Sequence, residues 1–264
     1  MSSTDGWRIY AIGDVHGCLD ALNTCIGHIL DDLLNRPHAE PLLLFVGDYT
    51  DRGPDSRGVL DRLVSLSQET WIQPVFLFGN HDKLFLDFVD NPNLQGTEYY
   101  HWLDPELGGA ETLASYGIEN ARPESADDAH RALLSALPEA HRAFLSSAHY
   151  YAAIGSYLFV HAGIMPGIRV EGQSLNDLIW IREPFLLSTE DHGAVVVHGH
   201  TVVGQIEDHG NRIAIDTGAV FGGTLSCLVL EDDDRALLTE EGLAPVPKGR
   251  SQGRPRRVSR KRMV

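Results

Sequence analysis

Long apolar runs, paired cysteines and a basic body are all missing from this chain, and each absence narrows what it can be. No stretch approaches the ~20 consecutive apolar residues that cross a bilayer. The opening MSSTDGWR lacks the charged-then-apolar pattern of an export signal. A cytoplasmic protein with no membrane span is therefore expected. The three cysteines, Cys18, Cys25 and Cys227, are few and form no CxxC pair, which suits a reducing compartment. Cys18, close to a helix start, is expected to pack as a small hydrophobe rather than to react. No Pro- or Ser-rich linker interrupts the middle of the 264 residues, so one large domain over 1–247 is expected rather than two small ones.

Positive charge is scarce except at one end. The net charge is −16, yet residues 248–264, KGRSQGRPRRVSRKRMV, hold eight Lys or Arg and no acid, which leaves −24 on residues 1–247. Such a body does not suit nucleic acid, and bound divalent cations would neutralise part of it. The basic tail, rich in Gly, Pro and Ser, is expected to be disordered, either solvated or touching an anionic partner.

Against this background three short stretches stand out. FVGDYTDRGPD (45–55) ends an apolar strand and crowds Asp48, Asp51, Arg52 and Asp55 into one loop. Carboxylates so close repel one another, so the loop is either a solvated surface or holds cations between them. IGDVHG supplies Asp14 and His16, and FGNHD supplies Asn80, His81 and Asp82. Each stretch follows an apolar run and turns on a glycine. Asp14, Asp48 and Asn80 are spaced by 34 and 32 residues, about one strand–helix unit each, so all three clusters are expected at the carboxyl ends of neighbouring parallel strands.

The rest of the chain is consistent with an α/β fold. Apolar positions at helical spacing predict helices over Cys18–Arg36, stopped by Pro37, and Ser56–Glu69, with Ser56 as N-cap and a third helix from Lys83. From 91 to 149 the pattern is helical without strands, an inserted cap expected to wall a substrate cleft; His101, Trp102, His130, His141 and His149 within it read as surface or packing residues. Strands return at Ser156–Val160, followed by His161 in HAGI, and at Ala194–Val197, followed by His198 and His200 in HGHT. The last strands, Arg212–Ile215 and Thr224–Leu230, are expected to join these in a second, mixed sheet packed on the first. Asp20, Asp55, Asp82 and Asp216 read as caps and loop supports.

Taken in order, DxHG, GDxxDRG, GNHD, VHAG and HGHT resemble the metal-binding signature of the phosphoprotein phosphatase family of calcineurin-like metallophosphoesterases, including its bacterial-type serine/threonine protein phosphatases. The likeness runs from about Gly13 to Gly223, loosely in the helical insertion. It implies a β-sandwich flanked by helices, carrying two divalent metal ions. Asp14 and His16 would bind the first ion, Asp48 both, and Asn80, His161 and His200 the second, with His198 left outside. The resemblance favours manganese, and the mixed nitrogen and oxygen donors also suit iron or zinc.

It further implies in-line attack by a hydroxide held between the ions, with His81 as general acid and Asp51 orienting that imidazole and favouring its charged form. Arg52 and Arg182 match the two phosphate clamps; Arg182, in WIREPF, does so more loosely and also reads as an ordinary surface arginine. The substrate expected is phosphoserine or phosphothreonine in proteins. The alternative is a bis(5'-nucleosyl)-tetraphosphatase. Symmetrical enzymes of that kind commonly carry alanine in place of Asp51, whereas DTGAVFGG (216–223) resembles their pattern. A third reading, a binding module on the same scaffold, calls for lost metal ligands, and none is lost.

Overall fold

The computed structural model describes residues 3–38, 40–94 and 96–249; the basic tail expected over 248–264 lies outside them from residue 250 onward. The order is β1 (Arg8–Ile12), α1 (Leu19–Asn35), β2 (Pro41–Phe45), α2 (Ser56–Leu66), β3 (Gln73–Phe76) and α3 (Asn80–Asp90). Three helices follow without a strand, α4 (Gly109–Ser115), α5 (Ala126–Ala136) and α6 (Glu139–Ser147). Then come β4 (Tyr151–Ile154), β5 (Tyr157–Val160), α7 (Leu175–Trp180), β6 (Val195–His198), β7 (Glu207–Asp208), β8 (Arg212–Ala214), β9 (Cys227–Glu231), β10 (Asp234–Thr239) and β11 (Gly242–Pro245).

Two sheets result, ordered β11-β10-β9-β1-β2-β3 and β4-β5-β6-β8-β7. The strands β1, β2 and β3 run parallel in the first, and β5, β6 and β8 in the second. Strand alternation divides the apolar residues between layers. Ile9, Ala11, Leu42, Leu44 and Val46 meet Phe159, Val197 and Ile213 between the sheets. Their sequence neighbours Tyr10, Ile12, Leu43 and Phe45 face the helices, where Leu22, Ile26, Leu60, Leu63, Phe85 and Phe88 close the main core. Leu158, Val160 and Val196 pack outward on Leu178, Ile179 and Phe185. Each such side chain, fully buried, contributes roughly 1.5–3 kcal/mol.

Several expectations need correction. The strand predicted at Thr224–Leu230 does not join the second sheet: β9 pairs antiparallel with β1, Ile12 opposite Cys227, and leads into the unanticipated hairpin β10–β11. The second sheet is mixed as expected, but starts with β4 at Tyr151. The N-cap of α2 is Asp55, whose Oδ1 accepts the Gly58 N–H at 2.8 Å, and not Ser56. α3 begins at Asn80, three residues earlier than predicted. The helices of 91–149 are less a wall than part of the main core, through Leu113, Leu133, Phe144 and Leu145. Cys25 and Cys227 are buried, and Cys18 is half-buried with its thiol pushed up by burial, as an unactivated group would be. Among the described residues no helix is long and apolar enough to cross a membrane.

Candidate active site

Parallel strands that end level with one another put their following loops side by side. Here both sheets do so at the same end. Asp14 and His16 follow β1, Asp48 follows β2, Asn80 and His81 open α3 after β3, His161 follows β5 and His200 follows β6. All six residues matched to metal positions are brought together, and all are buried. Two triads share Asp48: His16–Asp48–His81 and Asp48–His161–His200, each with its donor atoms within 4.8 Å of one another. Asp48 Oδ2 lies 3.4 Å from both His16 Nε2 and His161 Nε2. Asn80 Oδ1 lies 2.9 Å from His161 Nε2 and 2.8 Å from His200 Nδ1. Asp14 Oδ2 accepts the His200 backbone N–H at 3.0 Å.

The loops are held open by backbone geometry. Asp82 takes the Asp48 and Gly79 N–H groups on Oδ2 and that of Tyr49 on Oδ1, which fixes the β2 and β3 loops against each other. A methyl group on Gly79 would overlap Asp48 Oδ1, and one on Gly199 would overlap Asp14 Oδ1. Asp216 supports its own turn by accepting the Gly218 N–H. The loop-support readings of Asp55, Asp82 and Asp216 therefore hold.

The donor set fits divalent cations. His16 and His161 each turn Nδ1 to a backbone carbonyl, Thr50 O at 2.8 Å and Val46 O at 3.0 Å, the arrangement that orients a ligating imidazole. Among the described residues, Asp14 Oδ1 and His200 Nε2 are buried without a hydrogen-bond partner, a costly state for polar atoms that a cation would relieve. The electrostatics agree. Burial pushes the Asp14 carboxyl well up, with Asp216 adding to it. Burial, the largest single influence, opposes the charged form of His161 too, yet Asp48 with Asp14 and Asp82 together outweigh it and lift this imidazole to about 9, so the site recruits a positive charge. Burial would also raise Asp48, but the charges of His161 and His81 hold it well below the usual range. His198 stays outside: Nδ1 lies 3.1 Å from Gly199 O, Nε2 faces Arg212, and burial pushes it down to about 3.

Beside the triads is a cavity of about 170 Å³ lined by Asp48, Arg52, Asn80, His81, Leu107, Trp180, Arg182 and His200. Both arginines matched as clamps therefore reach it. Arg52 Nη1 donates to His16 Nε2 at 2.8 Å, and its guanidinium lies 5.7 Å from the exposed ring of Phe221. Among the described residues of the 91–149 segment, Leu107 alone lines this cavity. A larger groove, about 480 Å³, runs between α1 and β9–β10 past Cys25 and Cys227 and contains none of these residues.

His81 Nδ1 donates to Asp51 Oδ2 at 2.8 Å. Burial nevertheless pushes the His81 imidazole down to about 3, with Asp48 opposing, so the charged form expected from Asp51 is not the resting one. Asp51 itself is raised to about 7 by burial, while hydrogen bonds from Trp102 and Thr112 pull it down. Those two partners, 51 and 61 residues away along the chain, were not legible in sequence. Trp102 reads there as packing, and no local spacing links it to Asp51.

The calcineurin-like phosphoesterase family model matches residues 8–225. The asymmetrical bis(5'-nucleosyl)-tetraphosphatase PrpE of Anoxybacillus flavithermus is 30% identical over 241 residues, covering 82% of this chain and 88% of its own. Serine/threonine-protein phosphatase 1 of Salmonella typhimurium is 30% identical over 229 residues, covering 83% and 91%. The crystal structure of a cold-active protein-tyrosine phosphatase from a psychrophilic Shewanella shares the fold at 17% identity, with a TM-score of 0.55 over 88% of this chain and 80% of that one. With this coverage and a cation-suited crest, the chain belongs to the calcineurin-like metallophosphoesterases, among their PPP-like bacterial phosphatases, and is a metal-dependent hydrolase of phosphate esters.

Proposed function

We propose that the chain removes phosphate from phosphoserine and phosphothreonine in proteins, in the cytoplasm, where its free cysteines stay reduced. Asp14, His16, Asp48, Asn80, His161 and His200 would hold two divalent cations, manganese in preference to iron or zinc. When bound, such a pair acidifies water and offsets the charge of a phosphoryl group. The chain's own residues do the rest. Arg52 and Arg182, at the cavity, present planar forks to the phosphoryl oxygens. His81 keeps Nδ1–H on Asp51, and its Nε2, bare in the neutral resting imidazole, would take up a proton from solvent as the negatively charged phosphate enters the cavity and pass it to the departing oxygen.

The observation that carries this reading is the buried His81–Asp51 pair at the cavity edge. An alkoxide is a poor leaving group and needs a proton as it departs; a nucleotide leaving from a phosphoanhydride needs one far less. A second reading, hydrolysis of dinucleoside polyphosphates, is favoured by one feature. Phe221 is 66% exposed beside Arg52 and offers a face on which a base can stack. The relatives' names divide between the same two substrates.

The deciding experiment compares phosphate release from a phosphoserine peptide with hydrolysis of diadenosine tetraphosphate, each with manganese, iron or zinc. Faster turnover of the peptide, strongest with manganese, is expected. Turnover of the dinucleotide alone overturns the first reading in favour of the second, and turnover of neither overturns both.

A further inference from the structure

We propose that Trp102 and Thr112, both outside the cavity, are positioning residues for proton delivery by His81; this rests on the reading of His81 given above. Asp51 is the hub. Its Oδ2 accepts the His81 Nδ1–H and the Trp102 Nε1–H, each at 2.8 Å, and its Oδ1 accepts the Thr112 hydroxyl at 2.8 Å. Thr112 Oγ1 also accepts the Asp51 backbone N–H at 2.8 Å and lies 3.0 Å from Ser56 Oγ. A carboxylate with His81 as its lone partner could turn about its own side-chain bonds and take the imidazole with it. Three donors in three directions remove that freedom.

The indole is itself locked. Its ring lies 4.7 Å from that of Phe88 and 5.7 Å from that of Phe85, and a methyl on Gly109 would overlap it. His81, Phe85 and Phe88 occupy one face of α3 at i, i+4 and i+7. The helix that carries the imidazole thus also carries the rings that aim the tryptophan, and the tryptophan aims the carboxylate back at the imidazole. Asp51 has φ +74°, a conformation that persists only where surrounding contacts over-determine it. Trp102 and Thr112 are 1% and 0% exposed, so water does not compete for these bonds. Neither lines the cavity, so a phosphoryl group bound there would not touch either of them.

The test uses the full chain loaded with manganese and the variants Trp102→Phe, Thr112→Val and Thr112→Ser, with His81→Asn as reference. Each is assayed on phosphoserine, with its poor alkoxide leaving group, and on p-nitrophenyl phosphate, whose leaving group needs little protonation. Loss of one hydrogen bond to Asp51 should lower kcat on phosphoserine about tenfold at unchanged KM, leave p-nitrophenyl phosphate within about twofold, and leave manganese content intact. Thr112→Ser should restore the wild-type ratio. Equal losses on both substrates in folded variants, or no loss on either, overturn the proposal. Should Trp102→Phe fail to fold, the two Thr112 variants decide alone. His81→Asn separates the two layers of inference: if it keeps the leaving-group split while the others lack it, the positioning role alone falls; if it shows no split, the reading of His81 falls and takes the positioning role with it.

Discussion

Replacing Asp48 by Asn keeps the side-chain shape and an oxygen for the His81 backbone N–H, but removes the one negative charge shared by both triads. Its strength can be gauged at His161. Burial alone would keep that imidazole neutral, yet Asp48, 3.4 Å away, with lesser help from Asp14 and Asp82, lifts it from 6.5 to about 9. Net of burial and with Asp14 and Asp82 included, that rise corresponds to roughly 3 kcal/mol in favour of one positive charge at this point. A divalent cation feels about twice the attraction, so Asp48→Asn should weaken cation binding by on the order of 10³-fold or more.

Titration of manganese into chelator-stripped protein measures this directly, and NMR of the imidazoles follows His161. Because the folded-state pKa is raised, His161 stabilises the stripped protein fully below pH 6.5, and that contribution is lost as pH rises through about 9. Cation uptake must displace the same proton, so affinity should climb across this window in the wild type and much less in Asp48→Asn. Two tightly held ions in the variant, or a wild-type affinity flat over that range, would refute the reasoning.

Three further outcomes are expected. His81→Asn should retain its cations and lose about 10²–10⁴ in kcat on phosphoserine while losing far less on activated aryl phosphates; equal losses, read from parallel steady-state assays, remove His81 as the proton donor. Arg52 sits at φ +67°, so Arg52→Gly relieves about 1 kcal/mol of backbone strain and adds a similar unfolded-state entropy. Its Tm should stay within about 4 °C while kcat/KM falls on the order of 10²-fold, and a collapse in Tm would make Arg52 a structural residue instead. Asp32 is buried and Glu231 partly so, and desolvation would raise both, but Arg36 and Tyr10 hold Asp32 low and Arg8 and Arg36 hold Glu231 low. Their contribution is present above the ordinary carboxylate pKa values and lost as pH falls through the depressed ones. Urea midpoints of stripped protein between about pH 5 and 3 should therefore fall more steeply for the wild type than for Asp32→Asn, and parallel curves would contradict this.

The crest was legible in sequence wherever a strand end, a turn glycine and a ligand-type side chain are adjacent in the chain, as at Gly13–His16, Gly47–Asp48 and Gly79–His81. Parallel strands then bring those points together without further instruction. The placement of β9 was not legible, for a physical reason. Cys227 and Val229 face the helices while Leu228 and Leu230 face the other sheet, so the segment is apolar on both sides and would suit a central position in either sheet. Its partner β1 lies more than 200 residues earlier, and nothing local names it. The hairpin β10–β11 was hidden differently, since Asp233, Asp234, Glu240 and Glu241 give it the composition of a loop. Acidic residues at the outer strands of a sheet also discourage pairing with another molecule.

Local propensity explains least at the site itself, and the pattern of that failure is informative. His16, Asp48, Asp51, Arg52 and His200 all have positive φ, which glycine adopts freely and which costs other residues of order 1 kcal/mol or more each. Glycine takes the positive-φ positions Gly17 and Gly47 of the same loops, while at Gly79 and Gly199 the reason is space beside Asp48 and Asp14. The crest thus places charged and imidazole side chains where the backbone would favour glycine, and glycine where a side chain would crowd a carboxylate. Stability of the loops alone selects the opposite assignment. The arrangement follows when the side chains are required for what they hold: at Asp51 the requirement is met by Trp102 and Thr112 closing around it, and at Asp14 and His200, where Oδ1 and Nε2 are buried without a partner among the described residues, a divalent cation would meet it.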